Sequence, residues 1–204
     1  IWEKNKFNAD RSASHAILIA GVISFIFTIA GIIYGESILI ILGAEGEILS
    51  LGYEYLSSIV IGLPFMVFSG FFRSILAGEC DMKFPMMIAG LGTILNIILD
   101  PIFIFDLDNY WNLGLGLGVK GAALATVISQ LTVFIIFTYM LFIKKHAYIS
   151  FNFKNFRVSN QIFMGIIRVG LPASLSMIIM AIGQGVFNKI LIHYSPQTVA
   201  AYQV

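Results

Sequence analysis

Long apolar stretches separated by short polar ones run through the whole chain. Five are long enough to cross a bilayer, which takes about 20 helical residues: Ser14–Leu42, Tyr53–Ser74, Phe84–Phe105, Gly121–Ile143 and Ile162–Tyr194. The pattern predicts an all-α fold, a polytopic transmembrane helix bundle. Glu47 and Glu54 bound the second stretch on one side, and Arg73, Glu79, Asp81 and Lys83 bound it on the other. Its length and Pro64 predict a bent span. The last stretch carries Arg168 near its start and Lys189 near its end, leaving Val169–Asn188 uncharged.

The polar intervals alternate in sign. Lys4, Lys6 and Arg11 precede the first span, Arg73 and Lys83 lie between the second and third, and Lys144, Lys145, Lys154, Arg157 and Arg168 lie between the fourth and fifth. The other intervals carry Glu45, Glu47, Asp106 and Asp108, with Lys120 their one base. The positive-inside rule makes the basic side cytoplasmic. The expected location is the cell membrane, with the N-terminal segment and the interval at 144–161 in the cytoplasm. Tyr110 and Trp111 on the opposite side fit an interfacial anchor.

Composition agrees: 58% of residues are hydrophobic, 11% are charged and the mean hydropathy is +0.91, whereas soluble domains carry about 25% charged residues. A net charge of +1 excludes the basic face that a nucleic-acid partner requires. One cysteine, Cys80, excludes an internal disulfide framework. The opening residues are polar and lack an initiator Met, and Val204 follows no polar tail; the expectation is an interior piece of a longer protein, whose other helices are partners of this one.

A composition shift divides the chain into residues 1–143, a connector at 144–161 and residues 162–204. The connector, KKHAYISFNFKNFRVSNQ, is basic and aromatic. It reads either as an amphipathic helix lying on anionic lipid or as a solvated linker. Gly62-Leu63-Pro64 and Gly170-Leu171-Pro172 are too short to establish a repeat.

Chemistry concentrates on the third and fourth spans. Asp100 is the one charged residue of Phe84–Phe105, near the middle of a spanning stretch, and Pro101 follows it. A carboxylate there costs roughly 2.5–3.5 kcal/mol on insertion scales, which points to an ion, a proton or a substrate. Pro101 has no N–H for the Ile97 carbonyl; Pro64 and Pro172 free those of Val60 and Arg168 in the same way. These three prolines are candidate hinges. Asn96 and Asp100 are four residues apart and Thr93 lies a turn earlier, so the three share a face. Thr126 and Gln130 repeat that spacing on the fourth span, after the small run Gly121-Ala122-Ala123, which permits close helix approach. Asp100, Asn96 and Thr126 are the candidate ion-coupling set, with Thr93 and Gln130 lining a substrate cavity between the two spans. Interhelical hydrogen bonding, about 0.6 kcal/mol each, is the alternative reading of Asn96, Thr126 and Gln130. No metal is expected beyond Na⁺ at Asp100.

Other features carry less. GLGLG at 114–118 has no preceding strand and reads as a flexible turn rather than a nucleotide loop. His15, His146 and His193 lack metal-ligand spacing. Met177 and Met180 share a face of the fifth span and read as packing or as a pliable ligand surface. No catalytic triad or Walker loop appears, so neither an enzyme nor an ATP-driven pump is expected.

Taken together, RSILAGECDMKFPMMIAGLGTILNIILDPIFIF, GLGVKGAALATVISQ and RVGLPASLSMIIMAIGQGVFNKIL resemble the multidrug and toxin extrusion (MATE) family. The resemblance implies that the five spans are the third to seventh of twelve in a two-lobe antiporter, that residues 1–143 belong to the N-terminal lobe, and that 162–204 open the C-terminal one. It implies export of cationic or amphipathic drugs and metabolites against Na⁺ or H⁺, with no other cofactor. Asn96, Asp100 and Thr126 match the family's first-lobe site, which an aspartate on the first helix completes. Cys80 departs from the glycine usual before Asp81, which puts that turn in question. Met180 stands where the NorM-like branch has a carboxylate, so the resemblance is to the DinF-like branch. Two rivals remain: a lipid-linked precursor flippase of the same superfamily, which should present more basic residues to the cavity than the none on spans three and four, and a non-transporting membrane channel or interaction subunit.

Overall fold

A computed structural model describes residues 6–106, 114–144, 146–149 and 159–192. Among them are five helices, each long and apolar enough to cross a membrane: α1 (Lys6–Ile41), α2 (Gly46–Gly78), α3 (Lys83–Ile104), α4 (Gly118–Thr138, continued by a π turn at Tyr139–Ile143) and α5 (Asn160–Ile192). No strand occurs among the described residues. The expected anchor at Tyr110 and Trp111, the acid Asp108, the bases Lys4, Lys145, Lys154 and Arg157, and most of the predicted connector lie outside the described residues.

Two helices run well past their apolar stretches. α1 starts at Lys6 rather than Ser14, and α2 extends over Gly46–Gly78 rather than Tyr53–Ser74. Hydropathy marks where lipid would end, but a helix continues until its terminal carbonyls find other partners. α1 finds them through Gly43: Gly43 N–H donates to the Ile40 carbonyl (2.9 Å) and Ala44 N–H to that of Leu39 (3.0 Å), with Gly43 at φ +91°. This is the Schellman end that favours glycine in the left-handed region. α2 closes identically, with Cys80 N–H on Ala77 (3.0 Å) and Asp81 N–H on Leu76 (2.9 Å), and there Cys80 takes φ +62°.

The chain forms two compact units, 1–156 and 157–204. In the first, α4 packs against both α2 and α3, α2 packs against α1, and α2 meets α3 only marginally. Each contact is closed by a glycine against a valine. A Cβ built on Gly31, Gly62 or Gly92 would lie 2.7, 2.7 or 2.5 Å from a methyl of Val60, Val127 or Val133 respectively. Gly121 lets α4 start directly against the Phe103 carbonyl. The buried core, Phe72, Leu76, Ile88, Val133, Phe137 and Leu141, gathers at the end bearing the α2–α3 turn. Phe134 stacks on Phe72 there, with ring centroids 6.1 Å apart. In the second unit α5 runs unbroken through Pro172, whose carbonyl accepts the Ser176 hydroxyl (3.1 Å).

The Leu115–Leu117 stretch, expected to be a flexible turn, is pinned. Leu115, Gly116 and Leu117 N–H groups donate to the carbonyls of Ile102, Phe105 and Phe103 at 2.9, 3.1 and 2.9 Å. The end of α3 leaves carbonyls without helical partners, and this segment supplies donors. Gly116 and Gly118 take φ +58° and +55° to let it do so.

Candidate functional site

On α3 the Asn96 carboxamide donates to Asp100 Oδ1 at 3.1 Å. That bond spends one donor of Asn96 and one lone pair of Asp100, leaving the second carboxylate oxygen and the Asn96 carbonyl oxygen as acceptors. A turn earlier, Thr93 donates its proton to the Ala89 carbonyl (3.1 Å). On α4 Thr126 does the same with Ala122 (3.0 Å). Hydroxyls whose protons are committed to backbone face outward as acceptors. The polar set is therefore an array of hard oxygen ligands, the kind that suits Na⁺ or a proton network.

Thr93, Asn96, Thr126 and Gln130 line one cavity of about 280 Å³ together with Arg73, Ala89, Gly92, Ser129 and Val133. Asp100 is not among the lining residues and joins them through Asn96. Its position also differs from the middle of a span: it is four residues short of the end of α3 at Ile104. The helix ends at Ile104, where the segment from Leu115 takes up the carbonyls of Ile102, Phe103 and Phe105. The negative end of the α3 dipole then lies beside the carboxylate, and this arrangement favours a bound cation.

Arg73 is the residue that sequence reading missed. Assigned to a polar interval, it was counted among the cytoplasmic bases. Arg73 lies inside both the apolar stretch Tyr53–Ser74 and α2, and it lines the α2–α3–α4 cavity. Spans three and four contribute no base to this cavity, whereas α2 contributes Arg73. The Schellman closure around Gly78–Asp81 was the available signal. The hinge candidates look straightforward: α2, α3 and α5 run on as helix through Pro64, Pro101 and Pro172.

The α2–α3 turn grips the chain after α4. Glu79 accepts Tyr148 and Ile149 N–H groups, both at 3.0 Å, and Asp81 Oδ2 lies 3.0 Å from His146 Nε2. Asp81 Oδ1 also caps α3 through the Phe84 N–H (3.1 Å). The Phe84 hydrogen bond, then that of His146, holds the Asp81 carboxyl below the ordinary carboxylate value.

The MatE family model matches residues 3–102. The multidrug export protein MepA of Staphylococcus aureus is 33% identical over 207 aligned positions, covering all of this chain and 42% of that protein. The chain belongs to the MATE family. MepA of Staphylococcus saprophyticus is 34% identical over the same extent. An inward-facing multidrug-resistance MATE transporter superposes with a TM-score of 0.84 at 34% identity, over 97% of this chain and 43% of that one. The outward-facing conformation gives 0.83 at 33% identity, over 98% and 43%. A MOP-superfamily transporter of Pyrococcus furiosus, described as having a binding pocket of reverse polarity that suggests a different function, gives 0.85 at 34%, over 98% and 43%. The chain thus spans about two fifths of the length of the MATE relatives it matches. It is a multi-pass membrane protein of a family whose matched members are multidrug export proteins and transporters.

Proposed function

We propose that the complete protein is a secondary antiporter, in which Na⁺ or H⁺ bound at Asp100 and Asn96 drives export of cationic or amphipathic small molecules. The observation that carries this reading is the Asn96–Asp100 hydrogen bond at the margin of a polar cavity inside an apolar bundle. A carboxylate with free lone pairs, beside an amide oxygen and two acceptor hydroxyls, can exchange a cation for the amine of a substrate. The family's multidrug exporters support the substrate class. The basic intervals support a cytoplasmic N-terminal segment and a cytoplasmic connector at 144–161 between two lobes, and Met180 on α5 supports coupling confined to the first lobe, as in the DinF-like branch. Replacing Asp100 by Asn keeps volume and hydrogen bonding but removes the charge. In vesicles with an imposed ion gradient, Asp100→Asn protein should insert normally and lose export; normal efflux would defeat the antiport reading.

Arg73 favours one second reading. A guanidinium in the cavity suits the phosphate of a lipid-linked precursor, the cargo of a flippase. Export of simple organic cations by the wild type, undiminished by excess lipid pyrophosphate, would decide for the antiporter.

A further inference from the structure

We propose that Arg73 and Gln130 form an oxyanion subsite that holds a carboxylate on the exported compound, so that the cavity selects zwitterionic amphiphiles over simple cations. The proposal rests on the antiport reading for the cargo's amine, which goes to Asp100. Among the described residues, the Arg73 guanidinium makes no ion pair and the Gln130 carboxamide no hydrogen bond. Both line the cavity, and no acid does. The lining therefore carries one positive charge and an excess of unspent N–H donors. The other polar lining residues, Thr93, Asn96, Thr126 and Ser129, are uncharged and cannot neutralise it. The guanidinium fork matches a carboxylate through two parallel hydrogen bonds, and such charge-assisted bonds are about twice as strong as neutral ones.

Helix register sets the size of the ligand. Arg73 lies five residues before the end of α2, and Asp100 seventeen residues after the start of α3, on either side of the tight turn at 79–82. At 1.5 Å per residue the two Cα levels differ by about 18 Å along the bundle. The reach of the arginine side chain shortens the gap between charges to about 10–12 Å. A molecule with an amine and a carboxylate at that spacing, joined by an apolar or aromatic body, spans both ends of the site. A monovalent cation without the acid fills only one.

The test uses the complete protein in nanodiscs of zwitterionic phospholipid and two probes, measured by their displacement of a cationic rhodamine ester in fluorescence anisotropy: 4′-(aminomethyl)biphenyl-4-carboxylic acid, whose amine and carboxylate stand about 11 Å apart, and its methyl ester. The wild type should bind the acid about tenfold more tightly than the ester, a difference typical of one charge-assisted pair. Arg73→Gln should bring the acid-to-ester ratio to near one, and Arg73→Lys, which keeps the charge but not the fork, should retain part of it. Because the ratio is internal to each variant, a general folding defect would weaken both probes alike and leave it in place. A ratio unmoved by Arg73→Gln, or an ester preference in the wild type, would make Arg73 an interfacial anchor and overturn the subsite. Ion-independent export by Asp100→Asn with the ratio still resting on Arg73 would instead sink the antiport reading and leave the subsite standing.

Discussion

Cys80 holds a backbone conformation that side chains rarely adopt, φ +62°, because the chain must reverse tightly between α2 and α3. A non-glycine residue in the left-handed region costs about 1 kcal/mol or more. Cys80→Gly should therefore raise the unfolding midpoint of the complete protein in detergent, by about 1 kcal/mol of stability, whereas Cys80→Ala should not; equal effects would contradict the assigned turn. Beside it, Asp81 makes the pH dependence of this turn calculable in sign. Its folded value lies below the ordinary carboxylate value. Its contribution is thus present above that ordinary value and is lost as pH falls through the lowered one. The stability difference between wild type and Asp81→Asn, which keeps an oxygen for Phe84 but not the charge, should persist down to about pH 5 and shrink below about pH 4. A gap already closing between pH 8 and pH 5 would contradict it.

Between elements, the glycine–valine contacts decide how closely the helices approach. Gly92→Ala drives a methyl into Val133 on α4 and should cost about 1–3 kcal/mol, with much of the loss recovered in the Gly92→Ala, Val133→Ala double variant. Gly90→Ala, two residues away with nothing within 4 Å of its added methyl, should be neutral or stabilising by up to about 1 kcal/mol. Thermal unfolding of the four proteins checks the set, and equal losses at positions 90 and 92 would contradict this packing. The same contacts explain what the sequence could and could not reveal. Five helices and the Thr93–Asn96–Asp100 face were legible because hydropathy and the four-residue spacing are properties of one helix. Arg73 was not, because its place in the cavity depends on α4 bringing α2 and α3 around a common space. The off-centre place of Asp100 was legible too, since it stands five residues before the end of Phe84–Phe105; what the sequence could not show is that backbone bonds from Leu115, Gly116 and Leu117 take up the carbonyls at that end of α3.

For the whole molecule, the proposed antiport is a conversion of energy between an ion gradient and a substrate gradient. Each unit charge crossing the full membrane potential supplies only about 2.3 kcal/mol per 100 mV, so the states that face either side of the membrane must differ by no more than a few kcal/mol. In the proposed antiport, an ion leaving Asp100 as a substrate amine arrives would change the balance by that order, and the helix bonds that Pro64 and Pro101 leave unmade are the proposed places for the packing to yield. The exchange must then run in both directions. The most direct measurement is of cation movement driven by substrate alone: proteoliposomes of the complete protein, loaded with an amphipathic cation and given no ion gradient. The account predicts that substrate leaving by the transporter draws Na⁺ or H⁺ the opposite way, and that Asp100→Asn abolishes this flux. A substrate gradient that moves no cation, or a flux that survives Asp100→Asn, would contradict it.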